Sequence, residues 1–185
     1  QKVPPHRHVV GVRWLCEDRP GGATTAVPPL LLATEACARR SLRTYVREHP
    51  DVAARHRARW LLQAALGLAH LHAQRPPMVH GRLTADSVYL EGDPTAPEEL
   101  VAKVGDFGLP DVLEAAVLGV DASAGRTRLA RFTAPEVLNG RAATPAADLW
   151  ALAATAWEVF SNAHLEPYAE CVWRDEVIDV VCERR

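Results

Sequence analysis

The residues able to do chemistry fall in short stretches of the chain. The first is Val79-His80-Gly81-Arg82-Leu83-Thr84-Ala85-Asp86-Ser87-Val88-Tyr89-Leu90. Asp106-Phe107-Gly108 follows, with Asp106 nineteen residues after Ser87, and then Ala134-Pro135-Glu136. Together they offer an imidazole, carboxylates and a hydroxyl, groups that ligate metal ions or move protons. Arg82 adds a guanidinium, which stays protonated and cannot act as a base. His80 also reads as a satisfied core histidine, and Asp106 as an ordinary loop carboxylate. His70 and His72 make a poor metal pair, because helical residues two apart point to different faces. The four cysteines, Cys16, Cys37, Cys171 and Cys182, contain no CxxC pair. They fit reduced structural thiols better than a disulfide framework or a zinc site.

The elements that must position these groups can be read in order. At 185 residues, one domain with a real core is expected. A net charge of -2 argues against nucleic acid or an anionic membrane as an obligatory partner. No apolar run reaches membrane-spanning length and the start has no signal-peptide apolar region. The expected setting is the cytoplasm, or the cytoplasmic side of a membrane protein.

Val9 to Cys16 reads as a strand, broken by Pro20-Gly21-Gly22, and Leu30 to Thr34 as a second strand completing a hairpin. Ser41 can cap a helix over Leu42–Glu48, ended by Pro50. Asp51 can cap a long helix to about Gln74, with a stripe of Leu61, Ala65 and Leu68 flanked by Leu62, Leu66 and Ala69. Arg55, Arg57 and Arg59 then form a solvated basic face. Val88–Leu90 and Leu100–Val104 are short strands joined by a Gly/Pro loop. The stretch after Gly108, including Asp121-Ala122-Ser123-Ala124-Gly125, reads as a mobile surface loop. Thr144-Pro145 opens a helix to Phe160 that is apolar nearly all round and therefore expected to be buried. Asp148 inside it needs partners, since a bare buried carboxylate is very costly. Trp173 to Cys182 can form a last helix.

The order and spacing of the three stretches resemble the signature set of protein kinases: catalytic loop, metal-binding turn and end of the activation segment. The resemblance covers essentially the whole chain. It implies an α+β protein kinase-like fold, a mostly helical C-lobe with a remnant N-lobe hairpin. Residues 1–37 would be strands four and five with the hinge, and residues 38–185 a partial C-lobe. In that frame Thr34 is the gatekeeper, and Glu35-Ala36-Cys37 is the hinge that bonds adenine through its backbone. His80 is the catalytic-loop histidine and Asp106 the magnesium ligand. Asp148 is the buried aspartate that holds the loop backbone, and Phe107 and Glu136 are structural. Trp150, Trp157-Glu158-Val159-Phe160-Ser161 and Pro167-Tyr168 resemble the tyrosine-kinase branch.

The same frame locates missing chemistry. Where the family has its catalytic aspartate, two residues after the histidine, this chain has Arg82. The family's second metal ligand, an asparagine, aligns with Ser87, a shorter and poorer ligand. Gly81 replaces the arginine that pairs with a phosphorylated activation loop, and Leu109 to Thr133 holds no tyrosine. Lys2 and Lys103 are the only lysines. Neither fits the family's strand-three lysine, which with the Gly-rich loop would lie before residue 1. The arginine expected to pair with Glu136 would lie after residue 185. The resemblance therefore implies a fragment of a longer protein, or a truncated gene product. Tyr89 stands where the family has a leucine under adenine, and its bulk would partly fill the pocket. ATP and Mg2+ are the family's cofactors, but weak or absent binding is expected here. The implied function is a catalytically impaired regulatory or scaffolding pseudokinase with a protein partner, for instance an adjacent active kinase domain. His6-Arg7-His8 and His80-Gly81 are most similar to Janus kinase pseudokinase domains, although Phe107 replaces the proline expected of that group. An active protein tyrosine kinase using Asp86 as base, and a pure interaction domain without nucleotide, are the alternatives.

Overall fold

The computed structural model describes residues 3–17, 30–35, 40–107 and 127–183. Strands β1 (Val12–Glu17) and β2 (Leu30–Thr34) form an antiparallel hairpin with a register shift between Val12 and Trp14. The expected first strand began three residues earlier, at Val9. Val9 instead makes a parallel bridge to Val104, so residues 8–10 dock on a different sheet from the hairpin they lead into.

That second sheet has the order β3-β4-β5, with β3 Arg40–Ser41, β4 Val88–Glu91 and β5 Val101–Val104. Val88 pairs with Val104 and Leu90 with Ala102, and all four are buried. The alternation along β4 is that of a strand with one face on the core.

Helix α1 (Leu42–Glu48) runs over the expected residues, and the Ser41 hydroxyl accepts from the Thr44 N–H, as a cap should. Helix α2 (Ala54–His72) contains no β-branched residue and is rich in Ala, Leu and Arg, which favour helix. Its cap differs from expectation. Ala53, not Asp51, precedes the helix, and no side chain bonds there. Its buried face also differs. Trp60, Ala64, Gly67, Leu68 and Leu71 are buried, whereas Leu62, Leu66 and Ala69 of the expected stripe face outward. Two contacts set this phase. Trp60 is fully buried and donates its indole N–H to Leu100 O at 3.3 Å. Gly67 lies so close to the backbone of His8 that a Cβ there would stand 2.3 Å from His8 O. Arg57 is not solvated either. It is buried, and its guanidinium donates to the carbonyls of Pro50, Val52 and Val159. Those three carbonyls satisfy a charge that would otherwise be costly inside the protein.

After β5 come α3 (Pro135–Leu138), α4 (Pro145–Phe160) and α5 (Arg174–Glu183). Pro145 occupies the first turn of α4 and Thr144 the cap position, without a side-chain bond. The expectation that α4 is buried all round is corrected. Ala147, Asp148, Ala151, Thr155, Glu158 and Val159 are buried, but Leu149, Trp157 and Phe160 are about half exposed, at 58%, 47% and 50%. The main core joins α1, α2, β4, β5 and the buried face of α4, and Val177 and Val181 of α5 form a satellite cluster with Ala130 and Cys171. The expected loop at 121–125 and the hinge residue Cys37 lie outside the described residues.

Candidate functional site

The loop between α2 and β4 is held from below by Asp148. Its Oδ1 accepts from Gly81 N at 2.8 Å, and its Oδ2 accepts from His80 N at 2.8 Å and His72 Nε2 at 2.7 Å. The carboxylate is 1% exposed, so these donors replace its hydration. His72 was missed from the sequence. Its partner is not His70 but Asp148, 76 residues away, which no local pattern announces.

His80 is buried, and its bonds specify its proton. Gly105 O at 2.9 Å accepts from Nε2, and the backbone N–H of Arg82 donates to Nδ1 at 3.3 Å. The ring is therefore neutral with its proton on Nε2. Burial lowers its pKa below the ordinary 6.5, against the opposing pull of Asp148. Gly81, at φ 78°, makes the turn between them in the left-handed region that glycine tolerates.

Ser87 is buried and turned into the loop. Its hydroxyl donates to Thr84 O at 3.0 Å and accepts from Thr84 N at 3.1 Å. Asp106 follows β5 at φ 56° and is exposed. Its Oδ2 accepts a hydrogen bond from the Tyr89 hydroxyl at 2.7 Å. The Tyr89 ring also packs on Gly105, where a Cβ would stand 2.8 Å from it. Phe107 packs against the main core. The donor set fits Mg2+ poorly. The ion demands near-octahedral oxygen ligands. Here one carboxylate is shared with a phenol and the neighbouring hydroxyl is spent on the backbone. No group of three potential ligands gathers among the described residues.

Asp86 points into an ion-pair cluster. Arg128 donates to its Oδ2 at 2.8 Å, Arg43 lies 3.6 Å from the same atom, and the Ser41 hydroxyl reaches Oδ1 at 3.5 Å. Arg43 and Arg128 also meet Glu158 and Glu166, and Arg131 meets Glu166. Burial alone would lower the Arg128 guanidinium, but Glu158, Asp86 and Glu166 around it raise it overall. A cavity beside the loop is lined by Gly81, Arg82, Leu83, Phe132 and Thr133 with the start of α4, and Asp86 is not among its walls. Glu136 stands in the first turn of α3, half-buried.

At the expected hinge, Thr34 ends β2 and is exposed. Glu35 folds back. Its N–H donates to Gly11 O at 2.8 Å, and its Oε1 accepts from Gly11 N at 3.0 Å and Lys103 Nζ at 2.8 Å. Burial opposes its charge, but Lys103 and the Gly11 N–H prevail and hold the Glu35 carboxyl below its ordinary value. Lys103 bridges on to Glu91 at 2.8 Å, so this lysine of β5 ties Glu35, just after β2, to β4. The roles of Lys103, Arg43, Arg128 and Glu166 left no sequence signal, because their partners are distant in the chain.

Comparison with known proteins follows this geometry. A family model for protein tyrosine and serine/threonine kinases matches residues 6–185. Probable serine/threonine-protein kinase WNK5 of Oryza sativa subsp. japonica is 27% identical over 180 residues, covering 95% of this chain and 47% of the relative. Probable serine/threonine-protein kinase SIS8 of Arabidopsis thaliana is 33% identical over 141 residues, 76% of this chain and 13% of the relative. Ephrin type-A receptor 3 of Danio rerio is 30% identical over 157 residues, 84% of this chain and 15% of the relative. This chain thus spans less than half the length of each of these relatives.

Proposed function

Because the chain belongs to the protein tyrosine and serine/threonine kinase family, we propose that it is a catalytically impaired regulatory domain of that family. The observation that carries the reading is Arg82, which stands two residues after His80 where phosphoryl transfer needs a carboxylate base. A guanidinium cannot take the proton of an acceptor hydroxyl. The Ser87 hydroxyl bonded to Thr84, and Asp106 bonded to Tyr89, support the same reading, since both withdraw ligands from a metal ion.

In this reading the domain acts through its surface on a protein partner, an adjacent active kinase domain being the first to test, in the cytoplasm or on the cytoplasmic side of a membrane. The tyrosine-kinase-like part of this reading rests on Trp150, Trp157-Glu158-Val159-Phe160-Ser161 and Pro167-Tyr168. The test is a radiolabelled phosphate-transfer assay on the full-length protein and on this chain. No turnover is expected; turnover abolished by Asp106→Ala would overturn the proposal. The competing reading, an active kinase using Asp86, requires that Asp86→Asn abolish turnover while nucleotide binding survives. The engagement of Asp86 with Arg128 and Arg43 speaks against it.

A further inference from the structure

Residues 3–10 run along α2 and β5. Val104 N donates to His8 O at 3.0 Å, and Val10 N donates to Val104 O at 2.8 Å. Three histidines meet at this contact, His8 buried and His6 and His70 half-buried. The His6 ring stacks on His70 of α2, with centroids 4.4 Å apart and planes 10° from parallel. It meets His8 edge-on at 5.6 Å and 68°.

The hydrogen bonds fix where the protons are. Carbonyl oxygens only accept, so His8 Nδ1 donates to Ala102 O and His70 Nε2 donates to Pro4 O, each at 3.0 Å. His6 Nδ1 accepts from the backbone N–H of His8 at 3.2 Å, so that nitrogen carries no proton. A neutral His6 keeps its proton on Nε2 and satisfies the arrangement. A protonated His6 presents a donor to a donor and loses the bond that shapes its own segment, and it sets a cation against His70, the α2 ring on which it stacks.

We propose that His6 is a proton-sensitive latch: neutral, it fastens residues 3–10, and with them the root of the β1–β2 hairpin, onto α2 and β5; protonated, it lets them go. The titratable groups acting on His6 are His8 from its own segment and His70 from α2. The nearest charged group on β5, Lys103, is turned to Glu35 and Glu91. Burial first, then the charges of His70 and His8, lower the His6 pKa below its ordinary 6.5. A folded pKa below the unfolded one means that the stabilisation is complete above about 6.5 and is lost as pH falls through the folded value.

Two measurements on the full chain test the latch. The first is the His6 ring titration by NMR, expected below 6.5 in the folded state. The second is amide hydrogen exchange at Val10 and Val104 between pH 7.5 and 5.5, corrected for intrinsic rates. Protection should fall by up to about tenfold per pH unit, the limit for one linked proton. His6→Asn, whose side-chain oxygen keeps an acceptor without titrating, should lose protection less steeply than the wild type as the pH falls. A His6 pKa at or above 6.5, or an Asn variant that loses protection as the wild type does, overturns the proposal. Should His6→Asn not fold, His70→Gln serves instead: it must raise the His6 pKa, and no rise overturns the proposal equally.

Discussion

The hydroxyl of Tyr89 donates to Oδ2 of Asp106 at 2.7 Å, joining β4 to the carboxylate that follows β5. The phenol is packed on Gly105, so the bond is made by a side chain with little room to swing. A divalent cation must compete with that bond for the carboxylate. Millimolar Mg-ATP should therefore leave the melting temperature of the wild-type chain unchanged. Tyr89→Leu, which frees the carboxylate and empties space beside it, should gain a nucleotide-dependent rise of about 2–4 °C, as for roughly 1 kcal/mol in a domain of this size. Stabilisation of the wild type at micromolar nucleotide sinks the idea.

Ser87 gives a second, opposite test. Its hydroxyl is both donor and acceptor to the Thr84 backbone, in a position only 5% exposed. Ser87→Ala should cost about 1–2 kcal/mol in urea unfolding, because a buried N–H and C=O lose their partner. Ser87→Asn restores the residue type expected for a metal ligand, yet it must fit extra atoms into a packed turn. It should cost about 1–3 kcal/mol with no gain in Mn2+ affinity. A tighter Mn2+ titration with unchanged stability would show that the turn does not need the serine.

The local parts of this fold were legible because their signals are local. Ser41 and Pro50 bracket α1, and Thr144-Pro145 opens α4. Asp148, an acid in an apolar helix, announced that donors had to exist, and the family frame named the catalytic-loop backbone as their source. What failed was phase and partnership. In α2, Leu and Ala occur on adjoining faces, so periodicity could not choose between the Leu61–Leu68 stripe and the Trp60–Leu71 face that Gly67 and the indole select. Arg57 has the composition of a surface residue, and only the folded positions of Pro50, Val52 and Val159 make it a core donor. Likewise nothing near Asp86 in the chain foretells Arg128, 42 residues on.

That pairing predicts strong coupling. Glu158 is fully buried between Arg43 and Arg128, and Arg128 also holds Asp86 and Glu166. Arg128→Met leaves the buried carboxylate with Arg43 as its nearest cation and should cost about 3–5 kcal/mol. The double variant with Glu158→Gln should recover part of that loss, with a coupling energy of about 1–3 kcal/mol in a double-mutant cycle. Additive losses in chemical denaturation contradict a shared cluster.

His80 carries the last prediction, on pH. Burial holds its imidazole neutral below the ordinary 6.5, with Nε2 donating to Gly105 O and Nδ1 accepting from Arg82 N. In the unfolded chain it titrates near its ordinary value, so below that pH the unfolded state binds the proton that the folded state refuses. Stability is then full above about pH 6.5 and declines toward pH 5, with a slope of up to about 1.4 kcal/mol per pH unit for this one group. His80→Gln keeps a donor and an acceptor on one side chain but cannot titrate. It should begin less stable, by about 1–3 kcal/mol, and lose stability less steeply as the pH falls. The comparison is made in the His6→Asn background, so that the other histidine with a lowered pKa does not mask the slope. Equal slopes with and without His80 would mean that its ring takes up a proton as readily in the folded protein as in the unfolded chain, and that Arg82 N then loses its acceptor.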